Sequence, residues 1–205
     1  MTESSLETKK KILESAKKEF LEKGFLNASL RTIAANAGLT TGAMYRHFKD
    51  KDDLFRVLVE DAVDVTTKAV MEAGVPAHIG RGKPFTKESA EIENQVVMNF
   101  LDYIYSNFDV FTLLISKSGG STLETFVEEM RDLYTKNCTE TFNWLYEEKY
   151  AAKKLDAMTI HATSASMINA FTELITHNVP KKQAVTYVKN ILEYCHFGLS
   201  HLLGL

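Results

Sequence analysis

Residues 33–54 of this chain read IAANAGLTTGAMYRHFKDKDDL, and this stretch decides the fold prediction. Apolar residues at helical spacing begin after Ser29, a good N-cap, and stop at Gly38, which can adopt the positive φ of a tight turn. Thr40 then caps a second short helix, expected over residues 41–48. Two short helices joined by a glycine turn form a helix-turn-helix, whose second helix enters the major groove of DNA. From the spacing alone, a generic helical hairpin remains the alternative.

Donor groups suited to phosphate surround this turn. The hydroxyl, imidazole and ammonium donors are Thr40, Thr41, Tyr45, His47, Lys49 and Lys51. Gly42 stands at the start of the second helix, where a side chain would hinder approach to the DNA backbone. Residues 1–51 carry ten Lys and Arg against six Asp and Glu, although the whole chain has a net charge of −3. A basic head on an acidic body predicts that a polyanion is held at the N-terminal end.

The remainder of the 205-residue chain shows helical spacing and almost no strand signal. Besides the two short helices, we expect helices over residues 6–23, 51–73, 88–107, 110–116, 121–150, 155–178 and 181–203, and a loop over residues 74–84. The composition, 45% hydrophobic and 25% charged, is typical of a globular protein with a sizeable core. The sequence therefore predicts an all-α fold of about nine helices.

The stretch over residues 33–54 also resembles the signature of the tetracycline-repressor (TetR) family, which runs roughly I-A-x-x-A-G-V-S-x-G-x-[LIF]-Y-x-[HY]-F-x-x-K-x-x-L. Leu39 replaces valine and Thr40 replaces serine, and the likeness extends over residues 8–60. The resemblance implies a three-helix DNA-binding domain with a helix-turn-helix over residues 1–50. It also implies a helical domain over residues 51–205 that binds a ligand and dimerises.

Roles for individual residues follow from the same resemblance. It implies phosphate contacts from Thr40, Tyr45, His47 and Lys51, and base contacts from Arg31, Thr41, Ala43 and Arg46. Ala43 replaces a common threonine, so it offers only apolar contact, for instance to a thymine methyl group. The implied partners are a second copy of the chain, a palindromic double-stranded DNA operator and a small-molecule effector. A repressor released by its ligand is the implied function, with a ligand-dependent activator as the alternative.

Polar side chains interrupt the apolar stripes of the predicted C-terminal helices, and a buried amide or hydroxyl needs a partner. These polar residues, with apolar neighbours, could line a ligand pocket. The candidates are Asn99, Tyr103, Met130, Tyr134, Asn137, Thr141 and His161. For each of them, a polar group satisfied within the core is the alternative. Because no carboxylate falls on these stripes, a neutral or anionic ligand is favoured over a cation.

The last two predicted helices are apolar on two sides, which indicates burial on two sides. One side can meet the protein's own core and the other a partner copy, in agreement with the homodimer that the resemblance implies. The expected dimer-interface residues are Ala162, Ala165, Asn169 and Thr172 on the first of these helices, and Val188, Leu192, Cys195 and Leu199 on the second.

Catalysis is the competing interpretation. Glu193 and His196 form one Glu-x-x-His pair, but a di-iron helical bundle needs a second pair and further glutamates, and Arg81-Gly82-Lys83 lacks the spacing of a phosphate loop. We therefore predict no enzyme activity, no metal and no cofactor. Cys138 and Cys195 stand in no CxxC pattern and are expected to be reduced core residues. The sequence shows no signal peptide and no apolar run long enough to cross a membrane, so we expect a cytoplasmic protein.

Overall fold

The structure is a computed structural model that describes residues 3–73 and 86–205. These residues form nine α-helices and no strand. The helices are α1 (Glu3–Asn27), α2 (Leu30–Asn36), α3 (Thr41–Met44), α4 (Lys51–Glu72), α5 (Lys87–Ser106), α6 (Phe108–Ser116), α7 (Phe126–Glu147), α8 (Ala157–Thr176) and α9 (Lys181–Leu203). The all-α prediction is confirmed for this part of the chain. The predicted loop over residues 74–84 and the Arg81-Gly82-Lys83 triplet lie outside the described residues.

The third helix is shorter than the prediction of residues 41–48. Only Thr41–Met44 is α-helical, and the chain then tightens into turns. The amide of Arg46 donates to the carbonyl oxygen of Ala43, and the amide of His47 donates to that of Met44. At these two residues, hydrogen bonds to the third residue back thus replace the α-helical bonds to the fourth, while the amide of Phe48 still donates to the carbonyl oxygen of Met44.

The seventh helix begins at Phe126, five residues later than predicted. Side chains hold the preceding segment in another conformation. The amide and the hydroxyl of Thr122 both donate to the carboxylate of Asp52, at 2.8 and 2.7 Å, and the hydroxyl oxygen of Ser121 accepts from the amide of Leu123 at 3.1 Å. Such side-chain hydrogen bonds compete with helix formation, so the helix starts only beyond them.

The chain divides into two compact units. Unit 1 comprises Met1–Asp64 and Asn107–Phe126, and unit 2 comprises Val65–Ser106 and Val127–Leu205. The compact units therefore do not divide at residue 50, because the first half of α4 buries Leu54, Phe55 and Val59 in unit 1, and α6 packs on α1. The functional division at residue 50 stays a prediction.

Unit 1 is built around three phenylalanine rings. The ring of Phe55 meets those of Phe20 and Phe25 edge-on, with centroids 5.1 and 5.3 Å apart. Ile12 and Ala16 continue the buried stripe of α1, four residues apart and on one face of the helix. The helical path of α1 breaks at Gly24, where φ is 72°, as predicted, and one further turn follows. This core positions α2 and α3.

Unit 2 holds two apolar clusters. One contains Leu101, Leu174, Ala184 and Val188, and the other contains Phe142, Leu145, Ala151, Ile160 and Leu203. α9 contributes to both clusters, through its first half and its last residue. Among the described residues, no helix combines the length and the apolar character that crossing a membrane requires.

Candidate nucleic-acid interface

Side-chain caps and one glycine fix the turn between α2 and α3. The hydroxyl oxygen of Ser29 accepts from the amide three residues later at 3.3 Å, and the hydroxyl oxygen of Thr40 does the same at 3.2 Å. Between the two helices, Gly38 has a φ of 73°. The predicted N-caps and the predicted positive φ are confirmed. Because the Thr40 oxygen acts as an acceptor, its hydroxyl proton is available to a phosphate.

The helix-turn-helix buries one face and exposes the other. Ile33, Ala34 and Met44 are at most 1% exposed. The exposed residues among the predicted DNA contacts are Arg31, Thr40, Gly42, Tyr45, Arg46 and Lys49, and the half-buried ones are Thr41, Ala43, His47 and Lys51. None of these residues is buried, so each keeps part of its surface accessible.

Gly42 occupies an open position on this outward side. A Cβ atom placed there would meet no protein atom within 4 Å. Packing therefore does not require a glycine at this position. The open space agrees with the expectation that the absence of a side chain leaves room for a DNA backbone.

Lys51 turns inward, unlike the other predicted contacts. Its ammonium donates to the carbonyl oxygen of Leu26 at 3.1 Å and to that of Ala28 at 2.9 Å, and it lies 4.8 Å from the centroid of the Phe25 ring. Burial lowers the pKa of this ammonium. Lys51 therefore ties the start of α4 to the end of α1, a role that the sequence analysis did not predict. Its phosphate contact stays a prediction and would use the remaining ammonium proton.

Two buried polar residues of α1 support the motif and were missed by the sequence analysis. The hydroxyl of Ser15 donates to the carbonyl oxygen of Ile33 at 2.9 Å. The carboxylate of Glu19 accepts from the amide of Ser29, the N-cap of α2, at 3.1 Å. Both stand on the stripe of Ile12 and Phe20 at helical spacing. A polar residue inside an apolar stripe was the available signal.

The structure does not gather all the predicted ligand-binding residues. Asn99 accepts a hydrogen bond from the side chain one turn earlier at 2.8 Å, and both Asn99 and His161 are exposed, which corrects the prediction for these two. They lie on outward faces of their helices. The amide of Asn137 donates to the carbonyl oxygen of Val70 at 2.8 Å, and the hydroxyl of Thr141 donates to that of Asn137 at 2.7 Å. These two are satisfied within the protein, which was the alternative.

A group of polar side chains surrounds Tyr134 inside unit 2. Burial raises the pKa of the Tyr134 phenol well above its ordinary value, and the thiols of Cys138 and Cys195 and the Glu93 carboxylate add to the shift. Burial raises the pKa of the Cys138 thiol, which is hydrogen-bonded to Ser164 and Tyr134, and burial also raises the pKa of Glu93. The sequence analysis did not predict this carboxylate, which belongs to an exposed residue of α5.

The remaining predicted pocket residues are buried or half-buried. Met130 is buried, and its sulfur accepts a hydrogen bond from the Thr67 hydroxyl at 3.8 Å. Tyr103 is half-buried. Of the seven candidates, Tyr103, Met130 and Tyr134 therefore keep positions suited to a pocket.

α9 presents a different face from the one predicted. Val188 is 2% exposed, and Leu192 and Leu199 pack against the two apolar clusters of unit 2. Together with the half-buried Cys195, this stripe faces the protein's own core, which corrects its assignment to a dimer interface. The most regular apolar stripe of the helix is the one that packs into the core.

Other large apolar side chains of α8 and α9 are exposed instead. They are Met158, Tyr194, Phe197 and Leu202. Of the interface residues predicted on α8, Ala162 and Asn169 are exposed, and Ala165 and Thr172 are half-buried. The predicted surface of α8 is thus accessible, and α9 offers Tyr194 and Phe197 in place of the predicted stripe.

Glu193 and His196 form the predicted Glu-x-x-His pair on α9. Within residues 3–73 and 86–205, no three His, Cys, Asp or Glu side chains are grouped so that they could hold a metal ion.

The N-terminal part of the chain matches a known family. The family model described as bacterial regulatory proteins, tetR family, matches residues 12–58. A helix-turn-helix transcriptional regulator of Haemophilus influenzae is 30% identical over 101 residues, which are 49% of this chain and 45% of that protein. The transcriptional repressor BepR of Brucella suis is 45% identical over 53 residues, which are 26% of this chain and 25% of that protein. The chain therefore spans less than half the length of these relatives.

Likeness to solved structures covers nearly the whole chain. The structure of NalD, described as the secondary repressor of the MexAB-OprM multidrug efflux pump in Pseudomonas aeruginosa, superposes with a TM-score of 0.58. The match covers 95% of this chain and 97% of NalD at 18% identity. At this identity the likeness shows the fold alone.

Proposed function

Because this chain belongs to the tetR family of bacterial regulatory proteins, we propose that it is a DNA-binding transcription regulator, a repressor released by a small-molecule effector. It binds a palindromic operator as a homodimer, in the cytoplasm, where bacterial DNA lies. The observation that carries the proposal is the exposed side of the helix-turn-helix. There Arg31, Tyr45 and Arg46 stand outward over the buried Ile33 and Met44.

The outward side chains suit a division between base and phosphate contacts. A guanidinium group binds the major-groove edge of guanine in a bidentate manner, which Arg31 and Arg46 can provide. Phenol and hydroxyl groups donate to phosphates without reading the sequence, which suits Tyr45 and Thr40. The two kinds of contact predict different results when they are removed.

Binding to DNA duplexes selected from a random-sequence pool tests the DNA-binding function. The parent protein should prefer the selected duplex over an unrelated one by about a thousandfold or more. Replacing Arg31 or Arg46 by alanine should relax the preference at particular base pairs. Arg131→Ala in unit 2 removes the same charge and should leave the preference unchanged. A parent protein that binds every duplex equally would contradict the proposed regulator.

The homodimer is supported by the exposed aromatic residues of α9. Tyr194 is 72% exposed and Phe197 is 66% exposed, and Met158 of α8 is also exposed. Exposed large apolar side chains near one another in a fold mark an interaction surface. A second copy of the chain is the occupant that the family implies, and a two-fold interface places two DNA-binding heads on a palindrome.

The effector site is supported by polar groups that lack partners inside unit 2. The hydroxyls of Thr66 and Thr135 are buried, and no other described residue provides them with a hydrogen-bond partner. Such groups call for a ligand or an ordered water. Together with the half-buried Tyr134, they support an effector that offers hydrogen-bond acceptors.

The fourth helix provides the connection for release. α4 begins at Lys51, near the predicted DNA contacts, and the carbonyl oxygen of Val70, near its other end, accepts a hydrogen bond from Asn137. An effector changes DNA affinity only if it binds one arrangement of the protein better than the other. A coupling of about 1–3 kcal/mol changes operator affinity roughly five- to 150-fold.

A thermal-shift screen for compounds that stabilise the protein, followed by operator binding, tests the effector site. A compound that releases the parent protein from DNA should release Thr135→Val less readily, while DNA binding without the compound persists. Thr139→Val is the matched control, because the Thr139 hydroxyl donates to its own helix backbone at 2.8 Å. Equal release of both variants would place the effector elsewhere.

A further inference from the structure

A surface cleft in unit 1 separates the start of α1 from α3 and the turn that follows it. Its volume is about 570 Å³, and its lining residues are Ser5, Thr8, Lys9, Leu39, Ala43, Arg46 and His47. Three of the seven belong to the first two turns of α1, a part of the chain that carries none of the predicted DNA contacts. The other four lie on the helix-turn-helix itself. The cleft thus extends the outward face of the motif onto a third element.

The sequence of α1 explains the polar character of this wall. Thr8, Lys9 and Ser5 lie on the same face of α1 as Ile12, towards the N-terminus. This face is apolar within the core and polar at the cleft. Ser5, Thr8 and Lys9 are half-buried, whereas Lys10 is exposed. The polar residues therefore face the motif and not the solvent side of α1.

Lys9 is positioned by an aromatic ring. Its ammonium lies 5.6 Å from the centroid of the Phe48 ring, and Phe48 is 3% exposed. A cation over an aromatic face is weakly attracted to it, and the contact leaves the ammonium protons free to donate elsewhere. The side chain is thus held at the mouth of the cleft.

The donors around the cleft match an oxyanion. Lys9 and Arg46 carry positive charges, His47 can donate from its ring, and no carboxylate of the described residues lines the cleft. Glu7, on the same turns of α1, pairs with Lys11 at 3.0 Å. Hydroxyl, ammonium and guanidinium donors without an opposing carboxylate form a phosphate-binding arrangement.

We propose that this cleft binds a backbone phosphate of the operator, with Lys9 as a DNA contact supplied by α1 and His47 completing the site. The proposal rests on the proposed DNA-binding function. It adds the first turns of α1 to an interface otherwise formed by α2, α3 and the start of α4. Because a phosphate carries no sequence information, Lys9 contributes affinity and position, not sequence preference.

Titration of a selected duplex at several salt concentrations tests the role of Lys9. Lys9→Ala should weaken binding to every duplex by a similar factor and reduce the slope of log affinity against log salt by about 0.9, the value for one phosphate. Lys10→Ala removes the same charge from the neighbouring, exposed position and should change the slope by much less. Lys9→Arg should restore the parent slope. Equal unfolding midpoints of the variants exclude a loss of folded protein.

The outcomes separate this proposal from the proposed function. If the parent protein binds the duplex and Lys9→Ala has the same slope as Lys10→Ala, the α1 contact is wrong and the regulator stands. If the parent protein binds no duplex, both are overturned. Inorganic phosphate serves as the probe for a free-anion site. If Lys9→Ala abolished binding of inorganic phosphate while the DNA affinity and salt slope stayed at the parent values, the cleft would be a small-anion site.

Discussion

The ammonium nitrogen of Lys51 lies 2.9 Å from the carbonyl oxygen of Ala28. Ala28 directly follows α1 and Lys51 is the first residue of α4, so this hydrogen bond ties the start of α4 to the link between α1 and α2. A second bond, to Leu26, runs in parallel at 3.1 Å. Residues predicted to touch DNA therefore depend on a lysine that also maintains the frame around them.

Lys51→Ala should destabilise unit 1 in the absence of DNA. The variant loses two charge-assisted hydrogen bonds to carbonyl oxygens, which are partly solvated, and we expect a loss of about 1–2 kcal/mol in the free energy of unfolding. Urea unfolding measures it. Lys49→Ala removes a neighbouring exposed lysine and should unfold like the parent. An unchanged midpoint for Lys51→Ala would mean that the bonds contribute nothing.

Tyr45→Phe should weaken DNA binding and leave folding intact. Tyr45 is 49% exposed, so its hydroxyl is not part of the core, and its loss removes one charge-assisted hydrogen bond to a phosphate. We expect affinity to fall by roughly ten- to 150-fold on all duplexes, since such a bond is worth about 1.5–3 kcal/mol. Fluorescence anisotropy measures it. The control is Tyr146→Phe on α7, which should bind as the parent does. Altered sequence preference in Tyr45→Phe would assign the phenol to base reading.

Phe197→Asp should convert the proposed dimer into a monomer. A carboxylate beside the exposed Tyr194 of α9 would be desolvated by a partner copy, whereas it stays in water on the monomer. Sedimentation velocity at micromolar concentration measures the change. Asn190→Asp adds the same charge at another exposed position of α9 and should stay dimeric. A dimeric Phe197→Asp would exclude this face as the interface.

Tyr134 should make the protein sensitive to alkali. Burial raises the pKa of its phenol in the folded chain, so the folded state keeps the proton at a pH where the unfolded state has lost it. Its contribution to stability is therefore complete below about pH 10, the ordinary tyrosine pKa, and declines as pH rises above that value. The urea midpoint of Tyr134→Phe should fall less steeply between about pH 9 and pH 11 than that of the parent. Parallel curves for the two proteins would show that Tyr134 ionises equally in both states.

Local rules accounted for the elements whose ends are set by neighbouring residues. Ser29 and Thr40 serve as N-caps and Gly38 adopts a positive φ as predicted, and the bounds of the ninth helix, Lys181–Leu203, agree with the prediction. Pro180 precedes that helix and Gly204 ends it in the left-handed conformation, so the residues next to the helix determine both of its ends.

Long-range packing decided what the sequence could not. Two apolar stripes run along α9. The neighbouring sequence does not determine that Val188 packs in one cluster with Leu101, 87 positions earlier, while Phe197 stays exposed. The inward turn of Lys51 and the position of Glu93 near Tyr134 are equally non-local. The predicted length of the third helix was wrong for a different reason. The choice between hydrogen bonds to the third and to the fourth residue back depends on small differences in backbone geometry.

The four-residue length of α3 has a consequence for any attempt to transfer the helix-turn-helix to another protein. A single helical turn is not stable by itself in water, because the conformational entropy lost on nucleation outweighs the hydrogen bonding that one turn gains. Its conformation is imposed by the rest of the domain, because Met44 and the nearby Phe48 are buried in the core. A peptide of residues 29–50 would therefore be unstructured. The smallest portable module needs all of α1 and the opening turns of α4, and amides of α3 should exchange with deuterium only when the whole module opens.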